Sequence, residues 1–498
     1  VFLFLHLYEP HKPYAPPVRY AEYDPYDGEI AYVDEIVGKL VRYLKTHQLY
    51  DRSTIILVSD HGEGLGDHGE QEHGLFLYDE AIRVPLIIKQ AGGVGAGRRI
   101  PDLVQHVDLA PTILDFAKAP IPGNLRGRSL TPLLEGTGKL QERAVYSEAL
   151  YARYHFGWSE LTALTGQRYR YIKAPREELY DLERDPRERE NIIEERGRVQ
   201  TDDARRGTLD KLVAGVAIEA PADVSAEDRE RLQALGYVGA QTDVTRAPGD
   251  SLPDPKDKRH MLDSYREAAQ LAAERKWGPA IALLQAILRE DPEMLDVWGQ
   301  LATFAVRAER FDQAIDAYTH MIELKPTDPN PYLGAAAALL KVRKLDEARV
   351  HAELAAGVAA EQDKRPGATA HELLAKIALA RRDVERARRE ATLAQEADAT
   401  LPLSVFIEAR ILYDQGKYAD ALPLFQQAIA ELDRSKGSKM ADLHFYTADT
   451  LGRLDRHPEA EQEFTEELKW FPQNSRARGG LARLYQSSGR GNEAGQML

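Results

Sequence analysis

The sequence contains 498 residues, of which 80 are acidic and 65 are basic, so its formal net charge is −15. This charge argues against non-specific binding of nucleic acid through its phosphates, and no run of ~18 apolar residues is present that could span a bilayer. The sequence has no cysteine, which excludes disulfides, cysteine-ligated zinc and a thiol nucleophile within these residues.

Residues 1–200 alternate short apolar stretches with amphipathic helical patterns and Gly/Pro turns, which predicts an α/β domain. The apolar run Val1–Leu5 is typical of a strand that is already under way at the first residue. We therefore expect the domain to be amino-terminally truncated, with any targeting segment upstream of this chain.

The stretch Thr54–Val58 is continuously apolar, which is typical of a strand buried on both faces. It leads into Asp60 and His61, and open α/β sheets bind ligands beyond the carboxyl ends of their strands. A carboxylate and an imidazole both suit a divalent metal, so this pair is a candidate metal site. An isolated Asp-His pair is equally compatible with a structural role.

Two more histidines follow in a glycine-rich loop. His68 and His73 each precede a glycine, and a second predicted buried strand begins at Val84–Ile88. Glycine neighbours let the backbone approach a bound anion closely. Helix capping or a hydrogen-bonded polar loop is the competing interpretation of His68.

Together these segments resemble the sulfatase and alkaline-phosphatase superfamily. Ser59–Gly74 is similar to the metal-site segment of that family, and Glu9–Tyr14 is similar to its Asp-Pro-His-x-Pro-Tyr motif, with Glu9 in place of the aspartate. Further similar segments follow in the family's order: Tyr26–Asp34, Val107–Thr112, Gly127–Leu130 and Glu178–Asn191. The resemblance covers residues 1–195 and implies an alkaline-phosphatase-like α/β fold.

The resemblance implies roles for four residues. Asp60 and His61 would bind the metal, His73 would bind the transferred sulfuryl or phosphoryl group, and His11 would contact the ester and protonate its leaving oxygen. Many sulfatases have Asn at the second ligand position and bind calcium. Histidine there is more typical of phosphonate and phosphodiester hydrolases and phosphoethanolamine transferases, often with zinc or manganese. We expect a sulfate-ester substrate, with phosphate-type esters and either metal class left open.

The remainder of the chain divides into a linker and a helical array. Residues 201–257 are polar and contain one short amphipathic piece, Glu227–Tyr237, and residues 258–498 are helical throughout. Alanines recur at 34-residue intervals at Ala280, Ala314 and Ala348. Three further units are centred on Ala387, Ala421 and Ala460. With Trp298-x-x-Leu301-Ala302, this pattern resembles the tetratricopeptide repeat, whereas an unrelated helical bundle has no fixed period.

The resemblance implies an all-α solenoid of six to seven repeats, the last one truncated, that binds a protein or peptide partner in its groove.

Sulfatase relatives carry paired aspartates and a Cys or Ser/Thr nucleophile motif upstream, and neither motif occurs in these 498 residues. We therefore expect a hydrolase parent and an inactive fragment, because a covalent mechanism requires a nucleophile. The alternative is that the protein is not an enzyme but a scaffold, in which the hydrolase part is degenerate and the repeats are the working element. The joint presence of Asp60, His61, His73 and His11 favours the enzyme. By resemblance, the parent would be exported, periplasmic or membrane-anchored.

Overall fold

The structure is a computed structural model that describes residues 1–138, 143–194, 200–213, 252–360, 364–435 and 439–497. The described residues up to His260 form one compact unit, and those from Met261 onward form a second. The short helix predicted at Glu227–Tyr237 lies outside the described residues. The bounds 1–200, 201–257 and 258–498 remain predictions.

The first unit begins with irregular chain that leads into helix α1, Pro25–Thr46. Asp24 caps this helix by accepting a hydrogen bond from the backbone N–H of Tyr26, and Pro25 occupies the first turn, where no N–H is needed. Strand β1, Ile55–Val58, then pairs antiparallel with β2, Leu86–Lys89. A single-turn helix, α2 (Asp79–Ile82), lies between these two strands in the sequence.

A second sheet forms the well-packed part of this unit. It is an antiparallel meander in which β3, β4, β5 and β6 follow one another in space as in sequence. The strands are Val145–Ala149, Leu161–Thr165, Tyr169–Lys173 and Glu178–Asp181, and the helices of this region are α3 Leu109–Phe116, α4 Thr131–Glu135, α5 Tyr151–Phe156 and α6 Gln200–Val213. Leu209 of α6 is fully buried in a cluster with Leu164 and Tyr171. Helix α6 therefore packs on the sheet, although the linker was predicted to begin at residue 201.

Three strand predictions need correction. Residues 1–5 form no strand, and their side chains are exposed. The predicted buried strands at Thr54–Val58 and Val84–Ile88 exist as β1 and β2, but they are only partly buried, with Val58 38% and Ile87 62% exposed. Burial on both faces requires layers on both sides of the sheet, and among the described residues β1 and β2 pair only with each other.

The described residues from Arg259 onward form seven helix pairs, of which all but the first two residues belong to the second unit. They are α7 Arg259–Ala273 with α8 Trp277–Glu290, α9 Leu295–Arg307 with α10 Phe311–Leu324, α11 Pro329–Lys341 with α12 Leu345–Ala360, α13 Lys364–Ala380 with α14 Val384–Ala397, α15 Leu403–Asp414 with α16 Tyr418–Ser435, α17 Leu443–Arg453 with α18 His457–Trp470, and α19 Ser475–Ser487 with α20 Gly491–Met497. All six periodic alanines are fully buried. The predicted all-α solenoid of tetratricopeptide repeats is confirmed.

Candidate functional site

Asp60 and His61 lie just beyond the end of β1, as the sequence predicts. The Nδ1 atom of His61 lies 2.8 Å from the carbonyl oxygen of Gly62. A carbonyl can only accept, so Nδ1 carries the proton and donates it, and Nε2 of the neutral ring is left with a lone pair. That Nε2 lies 3.7 Å from Oδ2 of Asp60.

Close backbone contacts fix the loop that follows. A Cβ atom on Gly62 would lie 2.0 Å from the carbonyl oxygen of Glu80, and one on Gly64 would lie 2.3 Å from that of Glu70. The buried carboxylate of Glu70 accepts hydrogen bonds from the backbone N–H groups of Leu75 (2.8 Å) and Phe76 (3.1 Å). The loop therefore folds back on itself and returns His73 towards the end of β1.

His73 stacks on His61. The two ring centroids are 3.7 Å apart, with an interplanar angle of 26°. On its other side, Nδ1 of His73 lies 3.2 Å from Oε1 of Glu63, whose side chain is only 5% exposed. Burial would lower the pKa of His73, but the hydrogen bond and charge of Glu63, together with Glu70 and Glu72, raise it above its usual value. Glu63 thus favours the charged form of the imidazole that lies beside the Asp60–His61 pair.

His11 completes the cluster from the amino-terminal side. Its ring centroid lies 6.2 Å from that of His73, edge to face. The carboxylate of Glu29 in α1 is 3% exposed and holds this segment by accepting from the backbone N–H groups of His11 (2.9 Å) and Ala15 (2.7 Å). Nδ1 of His11 lies 2.7 Å from the carbonyl oxygen of Lys12 and 2.8 Å from the hydroxyl of Tyr8. Since the carbonyl can only accept, Nδ1 carries the proton and donates it to Lys12.

The donors present fit part of a divalent-metal site. Two atoms 3.7 Å apart can both reach one ion at about 2.0–2.2 Å, and the hydrogen bond to Gly62 fixes the tautomer of His61 that a metal ligand needs. Within the described ranges, however, no group of three or more His, Asp or Glu side chains is arranged to hold a metal ion. A complete site needs further ligands beyond this pair.

His68 lies outside the cluster, in a network of its own. Its Nδ1 is 2.6 Å from Oε1 of Glu80, its Nε2 is 3.0 Å from the carbonyl oxygen of Glu188, and its ring stacks on Tyr78 with centroids 3.8 Å apart. The polar-loop interpretation of this histidine fits these contacts.

Sequence reasoning missed several residues that build the site. Glu63, Glu29 and Glu70 lie within the segments that resemble the superfamily, but no role was predicted for them. A glutamate next to a run of candidate ligands is a usable signal for Glu63, since imidazoles commonly pair with carboxylates. Nothing in the sequence marks Glu29, because its partners are backbone N–H groups from another segment.

Comparison with known proteins finds different family models for the first and the later part of the chain. Residues 1–119 match the family model described as Sulfatase, and residues 66–214 match N-sulphoglucosamine sulphohydrolase, C-terminal. Residues 265–329 and 408–475 match Tetratricopeptide repeat. No described helix is both long enough and apolar enough to cross a membrane.

Two curated relatives and one solved structure illustrate the similarity. N-acetylglucosamine-6-O-sulfatase of Bacteroides thetaiotaomicron is 34% identical over 177 residues, which are 34% of this chain and 31% of that protein. The multifunctional alkaline phosphatase superfamily protein PehA of Trinickia caryophylli is 39% identical over 111 residues, or 22% and 21% of the two chains. The phosphonate monoester hydrolase structure from Agrobacterium radiobacter has 30% identity and a TM-score of 0.33, covering 38% of this chain and 40% of the other.

The chain spans about a third of the length of the first of these relatives.

Proposed function

This chain joins a segment of a sulfatase domain to tetratricopeptide repeats, and from this we propose that it contributes to metal-dependent hydrolysis of sulfate esters. The observation that carries the proposal is the convergence of His11, His61 and His73 beside Asp60. Cleavage of a sulfate ester develops negative charge on the non-bridging and leaving oxygens, and cationic groups placed there stabilise the transition state more than the ground state.

Asp60 and His61 would hold the metal through Oδ2 and Nε2. When bound, such an ion polarises the ester and neutralises charge on its oxygens. His73 would bind a non-bridging oxygen through Nε2–H, because Glu63 holds Nδ1–H and stabilises the doubly protonated ring.

His11 would donate a proton to the leaving oxygen. Its Nδ1 proton is committed to the carbonyl of Lys12, so the proton for the ester must come from Nε2–H of the imidazolium. Such a donor works best when its pKa is near the working pH, which histidine provides.

For the substrate, we propose a sulfate ester of a sugar, in line with the relative named N-acetylglucosamine-6-O-sulfatase. Phosphonate or phosphodiester cleavage is the second candidate, because histidine at position 61 departs from the asparagine of many sulfatases and because one relative is named multifunctional. The same departure makes zinc and manganese candidates beside calcium.

We further propose that the 498 residues alone do not turn over substrate, since their described part offers two metal donors and the chain has no cysteine. The repeats would bind a protein or peptide partner, as solenoid repeats expose extended binding surfaces.

The test compares the chain with any longer gene product that contains it. Each is given calcium, manganese or zinc, and hydrolysis of N-acetylglucosamine 6-sulfate, 4-nitrophenyl sulfate and bis(4-nitrophenyl) phosphate is measured. We expect sulfate-ester cleavage in the longer product only, lost on Asp60→Asn and His11→Ala and retained on His47→Ala, which removes an exposed histidine outside the cluster. Faster cleavage of the phosphodiester would favour the second candidate. Cleavage of neither ester, or cleavage unaffected by Asp60→Asn, would contradict the proposal.

A further inference from the structure

Tyr8 packs on the imidazole of His11. The centroids of the two rings are 4.5 Å apart, with an interplanar angle of 29°. The hydroxyl oxygen of Tyr8 lies 2.8 Å from Nδ1 of the imidazole. Tyr8 is 45% exposed, so this contact is made at the surface and not as part of a hydrophobic core. Core packing therefore does not explain why the two rings are paired.

The stacked phenol fixes a torsion that His11 itself leaves open. The last side-chain torsion of histidine has a broad energy profile, so other contacts must set the plane of the ring. Glu29 holds the backbone N–H of His11 at 2.9 Å, and Nδ1 lies 2.7 Å from the carbonyl oxygen of Lys12. A single hydrogen bond still allows the imidazole to tilt, whereas an aromatic ring against its face opposes that tilt. Tyr8 therefore restricts the imidazole in a direction in which the hydrogen bond to Lys12 does not.

Tyr8 is itself a poor proton donor. Burial raises the pKa of its phenol, and the charges of Glu29 and Glu9 raise it further. The phenol therefore holds its proton more tightly than an ordinary tyrosine does. A general acid works best when its pKa is near the working pH, which histidine provides and tyrosine does not. The role open to Tyr8 in proton transfer is therefore to act through His11.

Proton transfer to a leaving oxygen depends on the direction of the donating N–H group. The donor must lie within hydrogen-bond reach of the oxygen that it protonates, and small errors of placement reduce the rate. Because Nδ1 of His11 is held by the carbonyl of Lys12, the position of Nε2 on the far side of the ring is set by the plane of the imidazole. A contact that fixes this plane therefore also fixes the direction of Nε2–H.

We propose that Tyr8 is a positioning residue, whose ring, stacked on the imidazole of His11, holds Nε2–H towards the leaving oxygen of the ester. This inference rests on the proposed role of His11 as the proton donor in ester cleavage. Its effect depends on the leaving group. The alkoxide of a sugar needs a proton as it departs, whereas 4-nitrophenolate is a stable anion that needs little help. Loss of the stacked ring therefore slows cleavage of a sugar ester more than cleavage of an aryl ester.

The kinetic experiment uses the longer gene product that contains this chain, with N-acetylglucosamine 6-sulfate and 4-nitrophenyl sulfate as substrates. For Tyr8→Ala we expect kcat on the sugar ester to fall about five-fold or more, with KM unchanged. On the aryl ester, kcat should fall less than about two-fold. Tyr8→Phe keeps the ring and should retain most of the activity on both esters. The matched control is Tyr43→Ala, which removes a tyrosine packed on His47 with ring centroids 4.0 Å apart, outside the cluster, and should leave both rates unchanged.

A second measurement, on the 498-residue chain, does not depend on ester cleavage. Nitrogen-15 NMR reports which nitrogen of the neutral His11 ring carries the proton. The wild type should show the Nδ1–H form, and Tyr8→Ala should shift the ring towards the Nε2–H form that free histidine prefers. An unchanged tautomer, an equal loss of kcat on both esters, or a Tyr8→Phe variant as slow as Tyr8→Ala would each overturn the proposal. If the longer product cleaves neither ester, the proposed function fails, and the tautomer alone decides whether Tyr8 holds the ring.

Discussion

His68 and Glu188, 120 residues apart in the sequence, are joined by a 3.0 Å contact between the imidazole Nε2 and the backbone carbonyl oxygen. The other nitrogen, Nδ1, faces the carboxylate of Glu80 at 2.6 Å. A carbonyl and an ionised carboxylate can only accept, so both contacts are hydrogen bonds when the ring carries a proton on each nitrogen. This contact ties the loop that carries the candidate ligands to the segment after β6.

The first prediction is that the hydrogen bonds of His68 to Glu80 and Glu188 weaken as the pH rises. Burial would lower the pKa of His68, but its hydrogen bonds to Glu80 and Glu188 raise it above its usual value. A raised folded-state pKa means that the stabilisation is complete below the unfolded pKa of about 6.5 and is lost as the pH rises through the folded pKa. Hydrogen-exchange mass spectrometry of peptides from residues 62–82 should show that protection from exchange, relative to the intrinsic exchange rate at each pH, falls across that window.

His68→Asn should remove the dependence of this protection on pH. Asparagine tolerates the left-handed backbone at this position, where φ is +48°, so the substitution removes the hydrogen bonds without adding backbone strain. His47→Asn, at the exposed histidine that follows α1, is the control and should leave the profile unchanged. If protection from exchange in His68→Asn changed with pH as it does in the wild type, His68 would not be the group responsible.

The second prediction concerns the carboxylate of Glu188. It is 1% exposed, contacts Nη1 of Arg170 through both oxygens at 2.8 and 2.7 Å, and accepts from the backbone N–H of Asp79 at 2.7 Å. Glu188→Gln removes one of the two carboxylates that pair with the buried Arg170, whose Nη2 keeps its 3.0 Å hydrogen bond to Asp79, and it should lower the free energy of unfolding of the first unit by about 2 kcal/mol.

Glu190→Gln, two residues later at an exposed position, should change stability by less than about 0.5 kcal/mol. Urea unfolding followed by fluorescence measures both variants, since Trp158 of this unit is fully buried. Equal midpoints for the two variants would show that the Arg170 pair does not hold the unit together.

The third prediction concerns how Glu63 controls His73. Glu63→Gln removes the hydrogen-bonded charge that contributes most to raising the pKa of His73, and leaves only Glu70 and Glu72 to oppose the effect of burial. The pKa of His73 should fall, so that the imidazolium is lost at lower pH, as followed by NMR titration of the ring. Glu22→Gln, at an exposed position, is the control and should leave the titration unchanged. An unchanged or raised pKa in Glu63→Gln would contradict the pairing.

Sequence information predicts the local features of this chain well and the long-range ones poorly. The repeats follow from the spacing of Ala280, Ala314 and later alanines because each helix pair packs on its immediate neighbours. The proximity of His61 and His73 also follows from a short glycine-rich loop. The burial of β1 depends on the elements that cover the two faces of its sheet. An apolar run such as Thr54–Val58 does not reveal whether those elements are present.

The contacts that orient the candidate site are likewise long-range. Glu188 reaches His68 across 120 residues, and Glu29 holds His11 through a backbone N–H that every residue except proline offers. Neither relationship leaves a pattern in the sequence. For this reason the ligand and catalytic assignments of Asp60, His61, His73 and His11 remain predictions that the geometry supports.

The last prediction compares two glycines in neighbouring helices of the repeats. Alanine in place of glycine within a helix usually stabilises a protein by about 0.5–1 kcal/mol, because the unfolded chain loses freedom. Gly357 of α12 is exposed with open space around a built Cβ, so Gly357→Ala should raise the midpoint of unfolding. At Gly334 of α11, the Cβ would lie 2.4 Å from the ring of Tyr318. Displacing a packed aromatic ring costs about 1–3 kcal/mol, so Gly334→Ala should lower the midpoint. Chemical denaturation of both variants checks the opposite signs, and stabilisation by Gly334→Ala would mean that Tyr318 does not pack on that helix.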